Sequence, residues 1–193
     1  MHFLQAYIED KIEINDEEWN NISTYFSKVN FTKSEEFFTA GNVATKLLYL
    51  ASGIARTYTI ATDGTEITLG IHYHNNKHQL NLFMGDYISY LDKNESPIFC
   101  EALGDCVVYE AEYEKLDVLY ESGLKWMKLA RKISDSLLID VANTIRTTRR
   151  FSAKERYTYV QNLSPLYEEV LTDYQLASML GITPQSFSRM KKR

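Results

Sequence analysis

The residues with the most chemistry in this chain cluster at one end, in LTDYQLASMLGITPQSFSRMKKR. Thr183, Gln185, Ser186, Ser188, Arg189, Lys191 and Lys192 all fall within ten positions there. A glutamine amide can bond adenine at two points, an arginine fork matches guanine, and serine or lysine suits phosphate oxygens. Such groups read nucleic acid only if a rigid element presents them together. The flanking residues supply one. Thr172 and Gln175 form a capping box that starts a helix carrying Leu176, Ala177, Met179 and Leu180. Gly181 permits the left-handed conformation that ends it, and Ile182 plugs the turn. Thr183 caps a second helix with Pro184 at its first position. Phe187 and Met190 face inward, which leaves the seven polar and basic positions outside. This is helix–turn–helix grammar. A helical hairpin that merely completes a core would read the same way, apart from its basic face.

Charge distribution supports the first reading. Residues 146–193 carry nine Lys/Arg against four acids, a balance of +5, so residues 1–145 hold −10 of the overall −5. An acidic body with a basic end fits nucleic-acid binding by that end.

Other candidate chemistry is thinner. His72 and His74 should point to one side of a strand and His78 comes after a turn, but no fourth metal ligand is near in sequence, so no metal is expected. Cys100 and Cys106 have neither disulfide-framework nor metal-site spacing and read as buried thiols. No Ser/His/Asp set or glycine-rich phosphate loop can be placed, which argues against an enzyme, a metal-dependent cupin-like one included. Tyr58, Tyr73, Phe83, Tyr87 and Tyr90 are candidates for a pocket that would favour an apolar or planar ligand, though core packing accounts for them equally well. The N-terminus lacks a basic region followed by an apolar stretch, and no apolar run approaches the roughly 20 residues of a membrane span. A cytoplasmic protein without membrane contact is expected.

Periodicity indicates the elements that must carry these residues. Residues 15–29 read as a helix with Trp19, Ile22, Tyr25, Phe26 and Val29 on one face. Residues 31–111 hold short runs rich in β-branched and aromatic residues, separated by Gly, Asn and Asp. TDGTE, residues 62–66, signals a hairpin. Closely spaced strands without intervening helices predict an antiparallel barrel or sandwich. Residues 112–122 read as a short helix ended by Gly123. A long helix covers 124–150, with Leu129, Ile133, Leu137, Val141 and Ile145 every fourth residue. Such a stripe on a helix of about 39 Å calls for a second copy as its partner. Ser152 and Glu155 open a further helix over 152–163, and Pro165 interrupts the helical pattern after it.

The whole series resembles the Crp/Fnr family of bacterial transcription regulators. The resemblance rests on LLYLASGIARTYTIATDGTEITLGI, on GDYISYLDKNESPIFCEALGDCVVYEA, on the long helix and on LASMLGITPQSFSRMKK, and LGITPQSFSR is close to the short Bacteroidetes-type members. It implies an α+β protein. An N-terminal helix and a cyclic-nucleotide-binding-like antiparallel β-barrel (a double-stranded β-helix or jelly roll) form a sensor over 1–122. A dimerisation helix and hinge occupy 123–150, and a winged-helix-like but truncated helix–turn–helix occupies 151–193. It also implies a homodimer on double-stranded DNA, a small-molecule effector and RNA polymerase as a further partner. Members that bind cyclic AMP carry a cassette beginning Gly-Glu-x with an Arg-Ser or Arg-Thr pair about ten residues on. Here Gly85-Asp86-Tyr87 begins it and Ser96-Pro97 stands in place of the pair. A buried phosphate without a fixed cation is costly, so no cyclic-AMP binding is expected. The oxygen-sensing members use an N-terminal cysteine cluster, and no cysteine precedes Cys100. A haem role for the three histidines stays open on the sequence alone. The family's recognition helix commonly reads Arg-Glu-Thr-x-x-Arg. Arg189 is retained, while Pro184 and Gln185 replace the first arginine and the glutamate, so a different half-site is expected. The rival expectation is a partner- or effector-binding barrel whose C-terminal hairpin touches no DNA.

Overall fold

The computed structural model describes residues 1–75, 79–163 and 166–192. Two compact units are present. One comprises Met1–Thr57 and Gly70–Ser136, the other Tyr58–Leu69 and Leu137–Arg193. This division differs from the boundaries expected from sequence, which kept 58–69 with the barrel and set 123–150 apart.

The first unit opens with helices α1 (His2–Lys11) and α2 (Asp16–Ser23). α1 has no side-chain cap, which is why the sequence signal for it is weak. α2 is closed by a full capping box between Asn15 and Glu18. It stops at Ser23 rather than continuing to residue 29. Ser23 and Thr24 turn their hydroxyls back onto the carbonyls of Asn20 and Asn21, and the chain leaves as a strand, β1 (Ser27–Phe31). Val29 and Phe31 alternate with polar residues and pair with Val108 and Cys106. Tertiary pairing thus overrides the helical reading of Val29.

β2 (Glu36–Phe38), β3 (Lys46–Ile60), β4 (Glu66–His74), β5 (Gln79–Leu80), β6 (Phe83–Met84), β7 (Ile98–Ala102) and β8 (Cys106–Glu112) complete an eight-stranded sheet with the central path β1-β8-β3-β4-β5. The β1·β8, β2·β7, β3·β6, β3·β8 and β4·β5 pairings are antiparallel. β3 is one continuous strand of 15 residues. Glycine is required at 53, where φ is +110° and any Cβ would collide with the Asp105 carbonyl and Cys106. β3 has two apolar faces. Leu48 and Leu50 fill the barrel with Ala55, Met84, Cys100, Ala102, Cys106 and Val108. Tyr49, on the opposite face, joins Leu4, Ile8, Ile22, Leu119 and Leu129 in a second core under the helices. Both cysteines are buried thiols. α3 (Tyr87–Asp92), capped by Asp86, interrupts the strands, and α4 (Tyr113–Glu121) succeeds them.

Beyond Gly123 runs α5 (Leu124–Arg150), as the periodicity predicts. The C-terminal part holds α6 (Ala153–Leu163), α7 (Leu166–Val170), α8 (Asp173–Met179) and α9 (Pro184–Lys191). Pro165, His78 and Arg193 lie outside the described residues. Among the described residues, no helix is long and apolar enough to cross a membrane.

Candidate nucleic-acid interface

The α8–turn–α9 pair is built as its sequence directs. The Thr172 hydroxyl accepts from the Gln175 N–H, and the Gln175 side chain accepts from the Thr172 N–H. Gly181 takes φ +66°, and the Ile182 N–H reaches back to the Ala177 carbonyl at 3.0 Å. Leu171, Leu176, Ala177, Leu180 and Phe187 are buried, with the Tyr157 ring edge-on to Phe187 at 5.3 Å. Opposite this core, Gln185, Ser186, Ser188, Arg189, Lys191 and Lys192 are exposed. Gln185 and Arg189 are four residues apart and therefore share one face of α9. Thr183 is exposed, but its hydroxyl is engaged in the cap: it accepts from the Ser186 N–H at 3.2 Å and donates to Ser186 Oγ at 2.9 Å. Lys191 is drawn to Asp173 at 2.9 Å, which partly neutralises it.

Lys154, which the sequence reading did not select, joins this surface. A cleft of about 490 Å³ beside α9 is lined by Ser152, Ala153, Lys154, Ile182, Ser186, Arg189 and Met190. The Ser152–Glu155 cap that opens α6 could have pointed to Lys154, since it fixes where that lysine stands. Arg156 plays a different part from its charge. Its guanidinium donates to the carbonyls of Leu180 at 2.8 and 3.1 Å, Phe151 at 2.7 Å and Thr148 at 3.3 Å. It ties the end of α5 to the turn between α8 and α9, so it belongs to the scaffold rather than to the outer basic face.

The cassette region of the barrel forms a cavity of about 310 Å³ lined by Phe37, Phe38, Lys46, Leu48, Gly85, Asp86, Ser96 and Glu110 among others. Four of its polar side chains pair off with one another. Asp86 is 7 % exposed; it accepts from the Ser89 N–H at 3.1 Å and from the Ser96 hydroxyl at 2.8 Å. Lys46, the cation among the lining residues, pairs with Glu110 at 2.7 Å. The five aromatic residues expected to frame a pocket do not converge here. Phe83 packs between Tyr7 and Tyr49 in the helix-side core. Tyr90 stacks on Tyr113 and Tyr87 tilts against it, and the Asp117 carboxylate that accepts from Tyr90 pushes its phenol pKa up to about 12. Tyr58 is buried in the other unit, and Tyr73 sits beside Asn75 where β4 ends. A sequence gives aromatic residues without their directions, and most of these five are core.

The histidines are likewise structural. Burial drives the His72 pKa down to about 4, so the ring is neutral at pH 7. Its Nδ1–H donates to the Asn81 carbonyl at 2.6 Å, and Nε2 accepts from Thr57 at 3.1 Å. His74 donates to the Leu50 carbonyl at 3.0 Å and packs against the Phe3 ring. Among the described residues there is no cluster of three His, Cys, Asp or Glu side chains able to hold a metal.

The stripe on α5 is not one continuous seam. Leu129 is 3 % exposed in the helix-side core, and Ile133 packs against that core. Leu129 therefore cannot serve as partner-facing surface, and Ile133 is half-buried. A row of every fourth residue drifts about 40° per step on a helix of 3.6 residues per turn. Ile145 therefore faces almost opposite to Leu129. Leu137, Val141 and Ile145 are exposed, and so are Leu124, Met127 and Leu138, which the four-residue row omits.

A barrel is thus followed in the chain by one long helix and a helix–turn–helix. Proteins similar in sequence and in structure share this series. The chain is 24% identical over 174 residues to the fumarate and nitrate reduction regulatory protein of Vibrio cholerae, covering 83% of this chain and 66% of that one. It thus spans about two thirds of that relative's length. The c-di-GMP responsive global regulator CLP of Xanthomonas campestris matches in structure with a TM-score of 0.67 at 16% identity, over 92% of this chain and 90% of that one. A Crp/Fnr family protein from Eubacterium rectale matches with a TM-score of 0.66 at 18% identity, over 93% and 82%. No family model matches the chain. The structural matches show that the chain has the fold of Crp/Fnr-type regulators, and its sequence is similar to that of bacterial anaerobic regulatory proteins.

Proposed function

We propose that this chain is a dimeric, sequence-specific DNA-binding transcription regulator whose barrel does not bind cyclic AMP. The observation that carries this is the capped α8–Gly181–α9 pair, with a buried Phe187 side and an outer face of Gln185, Ser186, Ser188, Arg189 and Lys192. Such a helix fits the major groove. Gln185 and Arg189 supply base-edge contacts, and Ser186, Lys192 and Lys154 suit phosphates. The relatives' names describe regulators rather than enzymes.

Dimerisation is supported by α5. Leu138, Val141 and Ile145 are half or more exposed at three- and four-residue steps. An exposed apolar row of this kind needs cover, and a second α5 supplies it symmetrically. Residues 1–122 then act as sensor, 123–150 as dimer helix and 151–193 as DNA reader. A cytoplasmic site of action and RNA polymerase as a further partner accord with the DNA role. In the barrel, Ser96 occupies the cassette position expected of a cation and is bonded to Asp86. The cavity suits a neutral small effector better than a cyclic phosphate.

Sedimentation velocity with a labelled duplex from upstream of the protein's own gene tests this reading. Two chains per duplex are expected, with Val141→Asp giving monomers that bind at least tenfold more weakly. A monomer that binds as tightly as the wild type would overturn the dimer, and absence of binding at low salt would overturn the DNA role.

A further inference from the structure

The hairpin at Tyr58–Leu69 lies in the same compact unit as the helix–turn–helix. β5 pairs with β4 at Tyr73 and His74, at the far end of that strand from the hairpin. At the near end a single side chain stands where a neighbouring strand would. Ser178 Oγ, on α8, accepts from the Thr68 N–H at 2.8 Å and donates to the Glu66 carbonyl at 2.7 Å. Both capacities of the hydroxyl are used, and both partners are backbone groups of one strand. Thr68 is 5 % exposed, so the contact is a buried one. An unsatisfied backbone pair at such a site would be costly, which makes the Ser178 bridge hard to replace by water.

We infer that Ser178 is a latch that makes the β3–β4 hairpin and the first helix of the helix–turn–helix move as one body. β3 and β4 are continuous strands that run on beyond the hairpin to Lys46 and His74, residues of the other unit. A displacement of those strands would therefore be transmitted to α8 through two hydrogen bonds. The same bonds would carry the effect of DNA on α9 back to the hairpin, because coupling between sites is reciprocal. The functional meaning of the latch rests on the DNA-binding reading, but its existence does not. Leu69 at 51 % and Ile67 at 40 % exposure lie on the other face of β4 from Thr68 and make no claim on the contact.

Hydrogen exchange of the intact protein, read by mass spectrometry, separates the two. Wild type, Ser178→Ala and Ser178→Thr are compared with and without the upstream duplex. Without DNA, Ser178→Ala should speed exchange at residues 66–69 roughly three- to tenfold, the worth of one lost hydrogen bond, and Ser178→Thr should restore it. Unchanged exchange there in Ser178→Ala would overturn the latch. With duplex, protection of α9 is expected in all three proteins. A change in hairpin exchange is expected in wild type and Ser178→Thr but not in Ser178→Ala. A hairpin response that persists in Ser178→Ala would overturn its role in coupling. If α9 gains no protection in any protein, the DNA reading fails, while the duplex-free comparison still decides the latch.

Discussion

Removing Arg156 should loosen the C-terminal helices while sparing the barrel. Its guanidinium holds carbonyls from three places: Leu180 at the end of α8, Phe151 between α5 and α6, and Thr148 within α5. Two of these bonds are short, at 2.7 Å to Phe151 and 2.8 Å to Leu180; the others are longer second contacts. A charge-assisted hydrogen bond contributes about 1.5–3 kcal/mol, so two good ones set a ceiling of roughly 3–6 kcal/mol. The side chain is only partly buried, and water can recover some of the orphaned carbonyls. Arg156→Ala should therefore cost about 2–3 kcal/mol, or roughly 30- to 150-fold in the opening equilibrium of α8 and α9. Lysine cannot span the three carbonyls with one ammonium, so Arg156→Lys should recover less than half of this. The two tryptophans, Trp19 and Trp126, both pack in the helix-side core of the first unit. Tryptophan fluorescence during urea unfolding should accordingly be unmoved by either substitution. Amide exchange over residues 173–191 should accelerate by the stated factor. Exchange within threefold of wild type in Arg156→Ala would refute the staple, and an equal shift in the tryptophan transition would refute its confinement to this unit.

Three further outcomes are expected. Leu129→Ala should destabilise the first unit by about 2–5 kcal/mol in tryptophan-detected unfolding and leave the oligomeric state alone, because its side chain is core rather than seam. Phe187→Ala, at a site with 0 % exposure, should cost about 3–5 kcal/mol and abolish the exchange protection of α9, with the tryptophan transition unchanged. Burial holds His72 at a pKa of about 4, below the roughly 6.5 of an unfolded chain, so the unfolded state takes up the proton first on acidification. This part of the first unit's stability is intact above about pH 6.5 and is lost as pH falls towards 4. It is worth up to about 3 kcal/mol, and the loss should flatten in His72→Gln when urea midpoints are compared across that range.

The features legible in the sequence were those that depend on local chemistry. The Thr172–Gln175 box, the Thr183–Pro184 start and the glycine turn at 181 are fixed by residues within a few positions of each other, and all three stand as expected. The limits of α5 are set by Gly123 and an unbroken helical pattern. The features that could not be read depend on partners distant in sequence. Val29 belongs to a strand because Val108 of β8, far on in the chain, pairs with it. The apolar stripe of α5 divides between core and exposed seam because the four-residue row winds around the helix, and only packing shows where it crosses from one to the other. Arg156 counts as one more positive charge in a sequence, yet its donors turn inward to carbonyls. Tyr58, Tyr73, Phe83, Tyr87 and Tyr90 share a composition but not a place, and the cavity of the barrel is lined by Phe37 and Phe38 instead.

The most direct measurement is fluorescence anisotropy of the purified protein with upstream and scrambled duplexes across a salt series. Arg189→Ala and Lys192→Ala are run alongside. A dimer that engages at least two phosphates per protomer should show log K falling with log salt at a slope of about −4. Lys192→Ala should flatten the slope by about 2 on both duplexes. Arg189→Ala should cost about 1–3 kcal/mol on the preferred duplex and little on the scrambled one. Binding that is absent at low salt, or whose slope ignores Lys192 and whose selectivity ignores Arg189, would contradict the assignment of α9 as the recognition helix.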